Sequence, residues 1–234
     1  MTPGELRLRW TTAEGRARRE AVAARLGEGG AWHAELRGLP GAEELVPRPG
    51  GDLSLLGEAD LDLRGIDLRG LDLRRADLTF ANLAFACLDG AALRALQQAV
   101  LWRASLMGAD LAGADASAVW APHARFDGAS LERAWLFGGS RLEHASFREA
   151  RMAGADLGNA YLEGADFTGA GLQKAMLGGV RAPRAVFARA DLRGAVLGSA
   201  DLRGADLRGA RTGGADLSGA DLAGAHRDTT AEAT

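Results

Sequence analysis

His123 and His144 stand 21 residues apart, and Glu143 and Glu163 stand 20 apart. Two imidazoles and a carboxylate form a ligand set for zinc, provided that a structural period of about 20 residues stacks them. Such a stack would be flat and open to water, with no evident outer shell to orient the imidazoles. The same residues therefore also read as solvated surface. The single cysteine, Cys87, has no basic neighbour in its stretch to activate it as a nucleophile. No phosphate-cradling glycine loop, no G-x-S-x-G elbow and no cysteine pair occurs. The pattern points away from an enzyme, a metal site or a cofactor, and towards recognition by surface.

What must position these side chains is a repeat. "DLRGADLRGA" at 201–210 is two copies of one five-residue word, A-D-L-x-G, which recurs in drifting form from about Leu61 to Ala225. With its Leu as the centre, the word falls every five residues at Leu63, Leu68, Leu73, Leu78, Leu83, Leu88 and Leu93. The phase slips by three residues around Leu96–Gln98 and resumes from Leu101 to Leu136. One extra residue near Gly138–Gly139 shifts it again, and from Leu142 it runs unbroken to Leu222. Neither a helix nor a long strand has a period of five. The centre and the small residue two before it share the strand spacing, and the Gly two after it supplies a permissive turn residue. Each word is then one short side of a coil.

The large centres set the number of sides. Phe126, Phe147, Phe167 and Phe187 lie 21, 20 and 20 residues apart, the 21 spanning the extra residue. Four words per coil stack these rings in one internal ladder. The chain then reads as an all-β solenoid of about eight coils, roughly 38 Å long at the spacing of paired strands. The repeat, in stretches such as "ADLTFANLAF" and "ADLSGADLAGA", resembles that of the pentapeptide-repeat family. The resemblance implies a right-handed quadrilateral β-helix and a non-enzymatic binding protein. It further implies a type II topoisomerase, DNA gyrase or topoisomerase IV, as partner, bound by partial imitation of duplex DNA. The activity implied is protection from a topoisomerase-poisoning antibiotic. A general interaction scaffold with an unrelated protein partner is the alternative.

Composition narrows the rest. At 234 residues the chain holds one or two domains. Its net charge of −3 excludes a generally basic nucleic-acid binder. No apolar run is long enough to span a membrane, and "MTPGELRLRW" lacks a signal-peptide core. The lone cysteine fits a reducing cytoplasm. Residues 1–50 do not repeat and are expected to form a helical N-terminal cap or a partner-binding domain. Thr11 and Glu14 have capping-box spacing, Val22 and Leu26 face inward, and Trp10, Trp32, Leu36 and Leu39 fix the segment over the first coil. "VPRPGG" at 46–51 is the junction, 51–225 the β-helix and 226–234 a polar, disordered tail. That tail lacks an apolar dimer-forming segment, so a monomer or a weak homodimer is expected.

Two sets of outward residues are candidates for the partner site. Asp62, Asp67, Asp72, Asp77, Asp201, Asp206, Asp216 and Asp221 fill the slot before the centre and offer an acidic, DNA-like face. These aspartates also suit hydrogen bonding to the turns. Duplex DNA over the same length carries about 22 charges, far more than this solenoid. The central coils instead place Trp102, Trp120 and Tyr161 on one side, and Trp135, Phe137 and Met176 on the next. Arg141 is expected between Trp120 and Tyr161, within cation–π range of both. Outward aromatics suggest a contact surface; a dimer seam and local packing against a three-residue bulge near 96–98 are the other readings.

Overall fold

The computed structural model describes residues 2–28 and 62–228. Trp32, Leu36, Leu39, the junction at 46–51, the boundary drawn at 50 and residues 229–234 of the expected tail lie outside the described residues; the start of that tail is not disordered, since His226 pairs in parallel with Asp206 and extends the β-helix past 225. Helix α1 spans Pro3–Leu8 and helix α2 spans Ala13–Glu28. Beyond them the chain winds into a β-helix whose sides pair in parallel with the coil above and the coil below. Two sides are long enough to count as strands, β1 (Asp72–Asp77) and β2 (Ala92–Ala95).

Pairing partners lie 18 to 21 residues apart, so four five-residue words make one coil. The four sides are named here by the residue before each centre. Face 1 runs Asp62, Asn82, Val100, Trp120, Arg141, Tyr161, Arg181, Asp201, Asp221. Face 2 runs Asp67, Cys87, Ser105, Arg125, Ser146, Asp166, Val186, Asp206, His226. Face 3 runs Asp72, Ala92, Asp110, Ser130, Arg151, Gly171, Asp191, Arg211, and face 4 runs Asp77, Ala95, Asp115, Trp135, Asp156, Met176, Val196, Asp216.

Each corner is a tight turn. Ile66 N donates to Leu63 O at 3.1 Å, and the bond recurs word after word, as in Ala104 N to Leu101 O at 2.9 Å. The second residue after the centre sits in the left-handed region, which a type II turn demands there. Glycine meets that demand at Gly65, Gly70 and Gly90, but Phe85, Arg103 and His123 occupy it as well, at φ of 60°, 55° and 60°. The strain at such residues is held by bonds to neighbouring coils, such as Phe85 N to Trp102 O at 2.9 Å.

The interior is a column of centres beside a column of alanines, both buried. Each buried leucine contributes about 1.5–3 kcal/mol. Phe126, Phe147, Phe167 and Phe187 stack with ring centroids 4.8, 4.9 and 5.0 Å apart and planes within 3°. That spacing is the separation of paired strands; the backbone imposes the ladder, and the rings fill it.

The phase slip around Leu96–Gln98 has a different origin from an inserted bulge. Leu96 is itself a fully buried centre. Asp72 pairs with Ala92 but Asp77 pairs with Ala95, so face 3 of this coil loses two residues and its turn. The extra residue near Gly138–Gly139 does lengthen a coil: Trp120 pairs with Arg141 across 21 residues. Ser140 takes the buried alanine slot there, and its hydroxyl accepts from Val119 N and donates to Phe137 O.

The helices pack on the first described coil. Trp10, Val22 and Leu26 join the same buried core as Leu63 and Leu68. Helix α1 begins with a Thr2–Glu5 capping box, which the reading of Thr11 and Glu14 overlooked. The residue that caps α2 is Thr12, whose hydroxyl accepts from Gly15 N at 2.9 Å; the Thr11 hydroxyl donates to Leu8 O instead. A side chain at Gly15 would overlap Arg9 O, so glycine is what lets the two helices meet.

Candidate functional site

Asp62 does not belong to any exposed acidic face. It is 1% exposed and receives Arg9 Nη1 at 2.9 Å and Arg64 Nε at 2.8 Å. Arg9 also donates to the Arg64 carbonyl, and so does Trp10 Nε1, both at 2.9 Å. Burial pushes the Asp62 carboxyl up, but the hydrogen bonds from Arg64 and Arg9 outweigh it and hold the group below the usual carboxylate range. The residue is a structural clamp between the helices and the solenoid.

The other seven aspartates do not form one face either. Four words per coil send successive words to successive sides. Asp201 and Asp221 lie on face 1, Asp67 and Asp206 on face 2, Asp72 on face 3, and Asp77 and Asp216 on face 4. On the first three faces arginine neutralises them. Arg69 forks onto Asp67, Arg203 onto Asp201 and Arg208 onto Asp206, at 2.6, 2.7 and 2.6 Å. The Arg208 guanidinium beside it outweighs burial and holds Asp206 at about 2. One oxygen of each of these seven carboxylates also accepts the backbone N–H two residues on, as in Arg208 N to Asp206 at 3.1 Å and Ala223 N to Asp221 at 3.0 Å. That bond closes the aspartate's own turn.

Face 4 is different. Asp77, Asp115, Asp156 and Asp216 lie on it, and no lysine or arginine does among the described residues. The apolar residues expected on this side are exposed: Trp135 at 52%, Phe137 at 40% and Met176 at 52%. Sequence reasoning missed Val196, which is 43% exposed and sits beside Met176 in the same column.

On face 1 the aromatic residues are half-buried. Trp102 and Trp120 stack at 6.3 Å, and Phe85 caps Trp102 at 5.0 Å. The group packs on Ala84 and Val100 as a small satellite core, so local packing accounts for this pair. Arg141 does not bridge Trp120 and Tyr161. It lies over the Tyr161 ring at 4.9 Å, with Arg181 also placed at that ring at 4.8 Å, and it pairs with Glu143.

His123 and His144 stack in parallel, 5.1 Å apart and 13° between planes. Parallel rings do not converge on one ion, and among the described residues no group of three or more His, Cys, Asp or Glu could hold a metal. Burial, then the neighbouring His144 and Arg103, pulls His123 below the usual histidine range. Cys87 is half-buried beside Asp89, and burial raises its thiol, the opposite of what a nucleophile needs. No helix among the described residues is long and apolar enough to cross a membrane.

The family model for pentapeptide repeats matches in 8 copies over residues 59–94, 145–181, 170–209 and 200–226. No curated protein matches. Among solved structures, HetL, a pentapeptide-repeat protein involved in heterocyst differentiation regulation in the cyanobacterium Nostoc, is 31% identical. The match covers 70% of this chain and 88% of HetL, with a TM-score of 0.31. QnrB1, a plasmid-mediated fluoroquinolone resistance protein, is 20% identical over 70% of this chain and 92% of its own, with a TM-score of 0.31. A pentapeptide-repeat protein of the Arabidopsis thaliana thylakoid lumen is 26% identical over 44% of this chain and 61% of its own, with a TM-score of 0.23. Proteins of this kind are right-handed β-helices, and they are generally non-enzymatic structural or binding proteins. With its four-sided coils, buried centres and eight matched repeat copies, the chain belongs to the pentapeptide-repeat family.

Proposed function

We propose that this protein is a non-enzymatic, cytoplasmic binding solenoid that engages a protein partner through the central coils of faces 4 and 1. The observation that carries this reading is the exposure of Trp135, Phe137 and Met176 on one side of a rod whose other sides are covered largely by paired charges. Exposed large apolar groups gathered on one side mark contact surfaces. Trp120, Tyr161 and Arg141 flank that side across a corner. Helices α1 and α2 act as the cap that a solenoid end requires.

The resemblance of the repeat to that of the pentapeptide-repeat family supports a type II topoisomerase, DNA gyrase or topoisomerase IV, as the partner proposed first, with protection from a topoisomerase-poisoning antibiotic as the proposed activity. Imitation of DNA by charge is partial on this reading, because the aspartates of faces 1 to 3 are largely matched by arginines. That same pairing favours a second reading, a general scaffold whose partner is unrelated to topoisomerases. A supercoiling assay with a poison separates the two. Added protein should lower cleavage complexes with no nucleotide requirement of its own. No effect at saturating excess removes the topoisomerase and leaves the scaffold.

A further inference from the structure

We infer that face 4 is the primary docking surface, and that its partner presents apolar side chains flanked by lysines or arginines. The inference rests on the binding-solenoid reading above and holds whether or not the partner is a topoisomerase.

The apolar part comes first. In the described solenoid the exposed large hydrophobic side chains are Trp135, Phe137, Met176 and Val196, and all four lie on face 4. Trp135 and Phe137 touch as tilted rings at 6.5 Å. Met176 and Val196 follow in the column after Asp156, so the strip spans roughly 15 Å at the spacing of paired strands.

The strip is also flatter than the fold requires. Gly158, Gly178 and Gly198 occupy the slot directly after the centre, where φ is not positive. Thr79, Gln97, Ser117 and Ser218 fill that slot in other coils of the same face. A Cβ at Gly178 or Gly198 would come no closer than 3.8 or 3.6 Å to a carbonyl oxygen, an ordinary contact. At Gly178 and Gly198 neither a turn nor crowding asks for glycine, unlike at Gly158, where a Cβ would lie 3.2 Å from Asp156 Oδ1, or at Gly179, whose φ is 63°. The result is bare backbone beside Met176 and Val196, open to close approach.

Charge identifies the occupant. Asp115, Asp156 and Asp216 border or interrupt the strip without an arginine or lysine on the face. Asp156 uses one carboxylate oxygen for its turn and leaves the other without a partner among the described residues. A segment with apolar side chains on the strip could set cationic groups against these carboxylates, which is complementarity of the kind that orients partners. A two-fold pairing of face 4 with itself would bring the same carboxylates towards one another, and like charge disfavours it.

The test uses two synthetic amphipathic helical peptides that share one leucine face, one flanked by lysines and the other by glutamates. The lysine peptide should bind the full chain, more weakly as salt rises. Its hydrogen-exchange footprint should cover Trp135, Met176 and Val196, and the glutamate peptide should bind at least about tenfold more weakly, a difference of about 1.4 kcal/mol. Trp135→Ala with Met176→Ser should weaken the lysine peptide by a similar factor, and Lys174→Glu on face 3 should not. Equal binding of both peptides, no binding, or a footprint on another face overturns the inference. So does self-association in ultracentrifugation that Met176→Glu abolishes, since the occupant is then a second copy. A face 4 footprint without any effect on a topoisomerase removes only that partner. Topoisomerase protection that survives the Trp135 and Met176 substitutions removes face 4.

Discussion

Gln173 and Lys174 turn the corner of face 3, and Met176 and Gly178 follow on face 4 of the same coil. Both sides use the same word, the same buried Leu centres and the same alanines. Yet face 3 gathers Arg74, Arg94, Arg133, Arg151, Lys174, Arg193 and Arg211, and face 4 has no cation among the described residues. On face 3 the acids are matched, as where Arg193 forks onto Asp191 at 2.6 Å. On face 4 the carboxylates bond their own turns, as where Asp216 accepts Ser218 N at 2.9 Å. The contrast shows that folding is written at the centre and two residues before it. The slots directly before and after the centre are left to the surface.

Substitutions on the two kinds of slot should therefore behave differently. The largest effect belongs to the shared interior. Phe167→Ala opens a cavity in the ring ladder and should cost about 3–5 kcal/mol in urea unfolding, whichever face lies outside it. Asp62→Asn should cost a comparable amount, about 3–5 kcal/mol, because it strands Arg9 and Arg64 in the interior. The folded carboxyl titrates below its unfolded value. Its contribution is therefore present above the ordinary carboxylate value of about 4, and it is lost as pH falls through the folded value. Acid unfolding curves of wild type and Asp62→Asn should converge at the acid end; a constant gap would break the account of the clamp.

A neighbouring pair of glycines gives a smaller and sharper comparison. Gly179→Ala forces a side chain into the left-handed region and against Asn159, where the new Cβ would lie 2.6 Å from Oδ1. It should cost about 1–2 kcal/mol. Gly178→Ala meets no such demand and should stay within about 0.5 kcal/mol, or stabilise slightly by stiffening the unfolded chain. Equal losses would mean that glycine on face 4 serves folding rather than surface. Smallest of all, Trp135→Ala should leave stability within about 0.5 kcal/mol while lowering partner affinity by about 2 kcal/mol.

The repeat, the four sides and the phenylalanine ladder were legible because the word is regular and its large centres recur at one period. Leu96 was hidden because its coil drops a turn, which looks in the sequence like a slip rather than a short side. The aspartates misled through arithmetic: a period of five on a four-sided coil spreads them round the rod instead of aligning them. Asp62 could not be placed, since its partner Arg9 lies 53 residues away in a segment without repeats. Val196 escaped notice because "AVLGS" reads as ordinary drift of the word, and a valine in a strand needs no explanation. Only the pairing with Met176 shows that it extends an exposed strip.

One turn of the solenoid offers the most direct measurement. Gln173, Gly178, Pro183 and Ala188 follow four consecutive centres, and so present the same slot on faces 3, 4, 1 and 2 in turn. Arginine introduced at each, one at a time, would place the same bulk and charge on each side of the rod. With folding checked by circular dichroism, binding of the lysine-flanked peptide is then titrated. Gly178→Arg should weaken binding at least about tenfold, and the other three should bind as wild type does. A loss as large at Gln173, Pro183 or Ala188, or undiminished binding by Gly178→Arg, would contradict the assignment of recognition to face 4.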